Sequence, residues 1–260
     1  MKASIHCPKH GLQQSNPNTT HAVACDKCFP RKIILHLCAD TGSDSKPYKD
    51  AGYEVIRIGK DIGVENYHPP KNVYGIFANP VCTEFSTARK GGQPRNPEEG
   101  FKLVFECLRI INEVGQANLK FWVIENPARG VLNNYLGEPQ FKYQPYQFGS
   151  PWSKHTALWG KFNIPKVLYK KWQDVPDEVK IPDLYVRPTA TYANGQTRKA
   201  TGVPSLAFMH ARKHLKYIPE FKDFIDISER KGNARSNGAD MEFRSLCSQK
   251  FAQAFFNANQ

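Results

Sequence analysis

Short apolar runs alternate with one long amphipathic run over the first half of the chain. Four runs rich in apolar and β-branched residues are typical of strands buried on both faces. They are Arg31–Cys38, Tyr53–Ile58, the run VYGIFAN that ends at Asn79, and the run LKFWVIEN that ends at Asn126. Between the last two, apolar residues recur with a helical period from Pro97 to Gly115, and they would place Phe101, Val104, Phe105, Leu108 and Ile111 on one face. A shorter helix is predicted after Ser43.

Strands that alternate with helices predict an α/β fold, with right-handed crossovers and a mostly parallel, doubly wound sheet. Ligands of such sheets bind at the carboxyl ends of the strands. Three unusual stretches, CADTGS, NPVCTEFS and IENPARG, follow three of the predicted strands. We therefore expect them to share one site.

The pattern changes after Phe162. Residues 166–240 are polar, rich in proline and short of periodicity, which predicts a small loop-rich lobe. The last segment is helical in pattern and would place Leu246, Phe251, Ala254 and Phe255 near one face. We expect four parts: residues 1–30, a main domain of residues 31–165, the lobe, and residues 241–260, which pack back on the main domain.

The charge balance narrows the class of partner. Lys and Arg number 36 against 24 Asp and Glu, a formal charge of +12 over 260 residues. This sign favours a polyanion such as DNA, because each neutralised phosphate releases counterions. The sequence has no apolar run long enough to span a bilayer and no apolar stretch typical of a secretion signal. We expect an intracellular, cytoplasmic protein without a membrane partner, and no motif implies a protein partner.

Cys82 is a candidate nucleophile, although most free cysteines are small buried hydrophobes. It lies in a loop after a predicted strand, and Glu125 ends the next apolar strand. A buried carboxylate is costly unless it is paired or used. A cysteine with a glutamate suits thiolate addition to C6 of a cytosine while the carboxyl group engages N3, which makes C5 nucleophilic.

Several motifs resemble those of the DNA cytosine-5 methyltransferases, especially the short phage-type variants. PVCTEFS is similar to their PPCQxFS motif, and VIENP is similar to their ENV motif. The segment Gln147–Phe162 resembles the strand whose basic residues contact the target base, and the C-terminal helix resembles the element that closes their domain. The resemblance covers residues 32–162 and 241–259, with four elements in the expected order.

The resemblance implies a Rossmann-like domain, with the lobe serving target recognition. It implies transfer of a methyl group from S-adenosylmethionine to C5 of a cytosine flipped out of DNA. Cys82 would be the nucleophile and Glu125 the partner of N3, while Lys154 and Thr156 would hold the base and its phosphates. The residues expected at the cofactor are Leu37, Cys38, Asp40, Thr41, Gly42, Ser43, Asp61, Asn79 and Pro80.

Several departures from the family pattern lie around the cofactor, while Val81 replaces the usual proline before the nucleophile and SLCSQK differs from the usual entry of the closing helix. Asp40 and Ser43 stand where glycine is usual, and His36 stands where an acid is common. The second strand ends at Gly59, where an acid for the ribose hydroxyls is expected, and the nearest acid is Asp61. Three alternatives remain: divergent binding of S-adenosylmethionine, a modified donor such as a carboxylated analogue, or a DNA-binding homologue without activity. An amino-methyltransferase whose NPPY loop has changed to NPVC fits the sequence less well. Such enzymes stack the target base on an aromatic ring of this loop, and Cys82 stands where that aromatic residue would be.

Two short motifs near the N-terminus predict a structural zinc site. CPKHG and CDKC supply four ligands in two close pairs: Cys7, His10, Cys25 and Cys28. Such a set suits tetrahedral zinc, so residues 1–30 would form a zinc knuckle. The alternative is a disordered, charged tail with incidental cysteines.

Overall fold

The structure, a computed structural model, describes residues 4–14, 31–39, 41–85, 96–225 and 237–260. These residues form ten strands and six α-helices, joined by turns and short 3₁₀ helices. The strands are β1 Ser4–Cys7, β2 Gly11–Gln14, β3 Ile33–Leu37, β4 Glu54–Ile58, β5 Val73–Ala78, β6 Phe121–Pro127, β7 Phe141–Tyr143, β8 Thr156–Lys161, β9 Ala190–Thr191 and β10 Thr197–Arg198. The helices are α1 Lys46–Asp50, α2 Pro97–Val114, α3 Asn133–Leu136, α4 Ala211–His214, α5 Asn237–Ser245 and α6 Gln249–Asn259.

Six strands form the central sheet in the order β4-β3-β5-β6-β8-β7. The strands β4, β3, β5 and β6 are mutually parallel, whereas β8 runs antiparallel to both β6 and β7. The predicted mostly parallel α/β sheet is therefore confirmed. The chain moves from β3 to β4 on one side and returns to β5 on the other. A crevice thus lies between the carboxyl ends of β3 and β5.

Both faces of the sheet are covered. Helix α2 buries Phe101, Val104 and Ile111 against one face, while α1 and α6 cover the other face with Tyr48 and Phe255. The amphipathic pattern of α2 begins at Asn96, whose side chain accepts a hydrogen bond from Glu99 N at 3.2 Å.

The predicted buried face of α2 needs one correction. Phe105 is 61% exposed, and the buried stripe includes Gly100 and Cys107 instead. These small residues shift the centre of the stripe about the helix axis, away from Phe105. The prediction from large apolar residues alone therefore placed the buried face of α2 too close to Phe105.

The single C-terminal helix that the pattern predicts is two helices, α5 and α6. Cys247 N donates to Ser43 Oγ at 3.0 Å, and Ser248 Oγ caps α6 by accepting from Phe251 N at 3.2 Å. These bonds replace helical ones and break the helix between α5 and α6. Phe251 and Phe255 pack on the main sheet as expected, but Leu246 belongs to a different core.

That different core lies in the lobe. Trp152, Leu206, Phe221 and Phe243 are among its fully buried side chains. Helix α5 contributes Phe243 and crosses the predicted boundary between residues 240 and 241, so the lobe is built from three separated stretches of chain. Within the described ranges, no helix combines the length and apolar character needed to cross a bilayer.

Candidate active site

The loop after β5 is fixed at one end by β6 and at the other by the loop after β6. Asn126 Nδ2 donates to Pro80 O at 3.0 Å, and Val131 N donates to Phe85 O at 2.9 Å. Phe85 is fully buried and meets Phe101 edge-on, with ring centroids 5.6 Å apart. The aromatic residue of the motif therefore anchors the loop that carries Cys82.

Gly130 permits this close approach. A Cβ atom there would lie 3.0 Å from Phe85 O and 3.1 Å from Pro127 O, which is tighter than ordinary packing. Phe85 N also donates to Cys82 O at 3.0 Å, closing a tight turn around the cysteine. Two of the three stretches that the sequence singled out thus lock together, with Cys82 half-buried between them.

Glu125 lies near the end of β6, with its side chain 18% exposed. Its Oε2 accepts from Asn79 Nδ2 at 3.4 Å, and its Oε1 lies 3.9 Å from Lys154 Nζ. Burial raises the pKa of the Glu125 carboxyl, and Asp44 adds to the rise, while Lys154 and Asn79 oppose it. The Glu125 carboxyl therefore holds its proton to a higher pH than an exposed glutamate does.

The pKa of the Cys82 thiol is raised by burial and then by the charge of Glu125, against an opposing contribution from Lys154. The two acids are therefore coupled. A proton on Glu125 removes the negative charge that opposes the thiolate, so the state that can donate a proton is also the state in which Cys82 ionises more easily. Cys82, Glu125 and Lys154 act as one electrostatic group.

Lys154 is held in place by the lobe. Its Nζ donates to Ser245 O at 2.8 Å and to Leu246 O at 3.3 Å, where α5 ends. Thr156 is buried, and its Oγ1 donates to Lys154 O at 3.2 Å. The hydroxyl of Thr156 thus supports the backbone of Lys154, and its direct contact with a base stays a prediction.

The expected cofactor residues fall into two groups. Leu37 and Pro80 act through backbone oxygens, which accept from Asn79 N at 3.0 Å and from Asn126 Nδ2. Ser43 is buried, and its Oγ and O accept from Cys247 N and from Gln249 Nε2, both at 3.0 Å. These contacts shape the loop after β3 and attach it to the chain before α6.

The second group follows β3 near Arg57, a residue that lines an open cavity. Cys38 takes a left-handed φ of 54°, and its Sγ lies 3.9 Å from Cys107 Sγ. Thr41 O accepts from Arg57 Nη1 at 3.1 Å. Gly42 has a φ of 73°, and a Cβ there would lie 2.7 Å from Arg57 Cδ. Asp40 lies outside the described residues.

The cavity itself has a volume of about 510 Å³. It lies at the carboxyl ends of β3 and β4 and is lined by Ala39, Arg57, Gly59, Lys60 and Asp61. Asp61 therefore borders it, as expected, and Asn79 instead links β5 to Glu125. A carboxylate beside two cationic side chains makes the lining polar.

Sequence reasoning gave His36 only as a departure from a motif. It is 1% exposed, and its ring contacts both Ser45 and Asn79. Asp44 and Asn126 were missed altogether, although Asp44 influences Glu125 and Asn126 holds the cysteine loop. A polar residue in an otherwise apolar strand, as in LHL, was the available signal for His36.

Half of the predicted zinc site lies in described residues. Cys7 and His10 face each other at the turn between β1 and β2, with Sγ and Nδ1 3.6 Å apart. Cys25 and Cys28 lie outside the described residues. In the part of the chain that the structure describes, no three His, Cys, Asp or Glu side chains converge as a metal site would require.

Comparison with known proteins adds no family to this picture. No family model matches the chain, and none of the curated proteins matches it.

Proposed function

We propose that this protein transfers a methyl group to C5 of cytosine in DNA through a covalent adduct with Cys82. The observation that carries the proposal is the electrostatic group of Cys82, Glu125 and Lys154 at the carboxyl end of the sheet. A thiol, a carboxyl with a raised pKa and a cation are the groups that addition to a cytosine requires. The similarity of the motifs to those of cytosine-5 methyltransferases supports the same chemistry.

Each residue has a defined task in the reaction. The Cys82 thiolate forms a bond to C6, and the electron pair of the C5–C6 double bond is drawn toward N3, where the Glu125 carboxyl gives up its proton. The enamine so formed is nucleophilic at C5. After C5 is substituted, loss of its proton to solvent restores the double bond and breaks the S–C6 bond, and Glu125 recovers the N3 proton. Lys154 offsets the charge on Glu125 while it is ionised.

S-adenosylmethionine, when bound, supplies the methyl group that the activated C5 accepts. The cavity beside β3 and β4 suits it in size and chemistry: about 510 Å³ is within the range of small-molecule sites, and Asp61 can accept hydrogen bonds from ribose hydroxyls. The loop from Thr41 to Ser43 would lie beside the methionine part. Arg57 and Lys60 line the same cavity, and these cations favour a carboxylated analogue as the second candidate donor.

The lobe presents a surface suited to the DNA backbone. Residues 184–219 contain no Asp or Glu and six Lys or Arg: Arg187, Arg198, Lys199, Arg212, Lys213 and Lys216. The β9–β10 hairpin lies within this segment and is nearly all exposed. A two-stranded ribbon fits the major groove of DNA. The segment after the hairpin lies close to the site. Its Pro204 O accepts a hydrogen bond from Ser153 N at 2.8 Å, and Ser153 is next to Lys154.

A structural zinc ion is also part of the proposal. Tetrahedral zinc, bound at about 2.3 Å to sulfur and about 2.0–2.1 Å to nitrogen, separates two such ligands by about 3.6 Å. Cys7 Sγ and His10 Nδ1 are 3.6 Å apart. Elemental analysis of protein expressed with ample zinc should find about one ion per chain, and fewer in the Cys25→Ser variant. A zinc-free wild-type protein would refute the site.

The decisive experiment combines the purified protein, S-adenosylmethionine and duplex DNA, followed by mass spectrometry of the nucleosides. We expect 5-methylcytosine from the wild type and none from Cys82→Ser, because a hydroxyl is a far poorer nucleophile than a thiolate. DNA that contains 5-fluorocytosine should trap the wild type covalently, since C5 then has no proton to lose. Cys107→Ala, which alters a buried cysteine of α2 outside the site, is the matched control and should still be trapped.

Three outcomes would count against the proposal. Product of near wild-type yield from Cys82→Ser would eliminate the covalent step. Product of a larger mass with a carboxylated donor, and none with S-adenosylmethionine, would replace the donor. DNA binding without product from either donor would favour a non-enzymatic DNA-binding protein.

A further inference from the structure

A chain of hydrogen bonds runs through the interior from β3 to Glu125. His36 Nδ1 lies 2.8 Å from Ser45 Oγ, and His36 Nε2 lies 2.9 Å from Asn79 Oδ1. Asn79 Nδ2 in turn donates to Glu125 Oε2 at 3.4 Å. His36 and Ser45 are each 1% exposed, so water does not compete for these contacts. The histidine is therefore connected to the proposed proton donor through a single intervening side chain.

The order of donors along this chain follows from the chemistry of an amide. Asn79 has one acceptor atom and one donor group, and directing Nδ2 at Glu125 requires Oδ1 to face His36. His36 must then carry a proton on Nε2. Burial lowers the pKa of His36, so the neutral ring has an acceptor at Nδ1, which the Ser45 hydroxyl satisfies. Ser45 Oγ also lies 3.2 Å from Gly42 O, but its contact with His36 is shorter.

A histidine suits this position better than the acid that the motif leads one to expect. A carboxyl group could donate to Asn79 Oδ1 only while protonated. Once ionised, it would repel that oxygen and favour the reversed amide, which directs an oxygen at Glu125 instead. The other groups around the ring are Phe77, with its centroid 5.6 Å away, and Asp44 and Arg57, whose charges act on His36 in opposite senses. Asp44 Oδ2 lies 3.8 Å from His36 Nε2, whereas Asn79 Oδ1 lies 2.9 Å from it, so the Nε2 proton of the neutral imidazole is directed at Asn79.

We propose that His36 is a positioning residue that holds the Asn79 amide with its NH₂ group toward Glu125. This inference rests on the proposed function. The bond from Asn79 favours the ionised carboxylate and so opposes the effect of burial on the pKa of Glu125. Glu125 must both give and recover a proton in each turnover. His36 therefore tunes the proton donor without touching the substrate.

Two substitutions separate the contact of His36 Nε2 with Asn79 from the contact of His36 Nδ1 with Ser45. The amide of glutamine reaches the position of Nε2, so His36→Gln keeps a donor for Asn79. The shorter asparagine reaches only the position of Nδ1, so His36→Asn keeps the contact with Ser45 and loses the one with Asn79. We expect His36→Asn to lower kcat by about tenfold to a hundredfold, the cost of one hydrogen bond to a charged group. KM for DNA and for the donor should not change, and His36→Gln should stay within about threefold of the wild type.

A second readout needs no methyl donor. Addition of Cys82 to C6 lets C5 take a proton from solvent, so the exchange of tritium from C5 of cytosine in DNA reports the adduct alone. This rate should fall with kcat in His36→Asn. In the background of Asn79→Ala, where the linking amide is gone, His36→Asn should cause no further loss.

Several results would overturn the inference. Three outcomes would each show that His36 does not act through Asn79. They are an unchanged kcat in His36→Asn, equal losses of kcat in His36→Gln and His36→Asn, and additive losses in the double variant with Asn79→Ala. If His36→Asn does not fold, Ser45→Ala takes its place in the same cycle with Asn79→Ala, and additive losses there would overturn the inference equally. A wild type that yields neither product nor exchange refutes the proposed function and this inference together, whereas an active wild type with additive losses refutes only the inference.

Discussion

The two ends of the candidate site are built differently. At the proposed base end, the loop of Cys82 is joined to β6, which carries Glu125, and to the loop after β6 by hydrogen bonds, and the buried ring of Phe85 anchors it. At the donor end, an open cavity is bordered by Arg57 and Asp61 from β4 and the turn after it. The first end is held by hydrogen bonds and is partly buried, whereas the second is polar and open.

This difference parallels the sequence, in which several departures from the methyltransferase motifs it resembles lie near the predicted donor site. A nucleophile and a proton donor need fixed positions, and those positions depend on neighbouring residues of short motifs. A donor molecule can be held by many sets of side chains, and here they come from separate parts of the chain: Ser43 binds Cys247, and Arg57 binds Thr41.

The largest effect that separates the two ends should come from Glu125→Gln. The amide cannot give a proton to N3, so kcat should fall by about 10²–10⁴-fold. Steady-state kinetics would measure it, with donor binding followed by calorimetry. Donor affinity should be unchanged, because Glu125 does not line the cavity. A change confined to KM would show that Glu125 contributes to binding and not to proton transfer, and the proposed difference between the two ends would then be wrong.

Asp61→Asn should act at the donor end alone. Loss of the carboxylate removes the acceptor for ribose hydroxyls, so S-adenosylmethionine should bind about tenfold more weakly, the effect of one hydrogen bond to a charged group. Glu65→Gln is the matched control, since Glu65 is an exposed acid four residues away that does not line the cavity. Equal titration curves for both variants would place the donor elsewhere.

Lys199→Ala would test whether the basic surface of residues 184–219, which contain no Asp or Glu, binds DNA next to the proposed base end. Lys199 is exposed beside β10, and its loss should reduce the salt dependence of DNA binding by about one unit of slope, with a severalfold loss of affinity. Lys166→Ala alters an exposed lysine outside residues 184–219 and should leave the slope unchanged. Fluorescence anisotropy at several salt concentrations would measure the slope for both variants, and equal slopes would show that Lys199 does not contact DNA.

The smallest effect concerns stability. The pKa of Glu125 is raised from its ordinary value of about 4.5, so the folded state binds more protons than the unfolded state above that pH. The contribution of Glu125 to wild-type stability should therefore fall as pH rises from about 4.5 through the raised pKa. Glu125→Gln does not titrate, so its unfolding temperature should match the wild type near pH 4 and exceed it near pH 7. An inactive variant that gains no stability at neutral pH would contradict this origin of the raised pKa.

The hydrophobic pattern of the sequence by itself determined the four parallel strands of the sheet and helix α2, and it led to the expectation that three loops meet at one edge. These features follow from local hydrophobic periods, from turn residues and from the parallel order of strands, which act over a few residues. It also placed Cys82 and Glu125 at strand ends, and the structure brings both into one electrostatic group.

Only the tertiary structure decided which partners these residues have. Lys154 is fixed by carbonyls 91 and 92 residues away, and His36 reaches Glu125 through Asn79, 43 residues from the histidine and 46 from the glutamate. The break between α5 and α6 likewise depends on Ser43, 204 residues from Cys247. Such contacts depend on strand register and on how helices pack. A single sequence does not contain that information in any local pattern, because the two partners become neighbours only when the whole chain has folded.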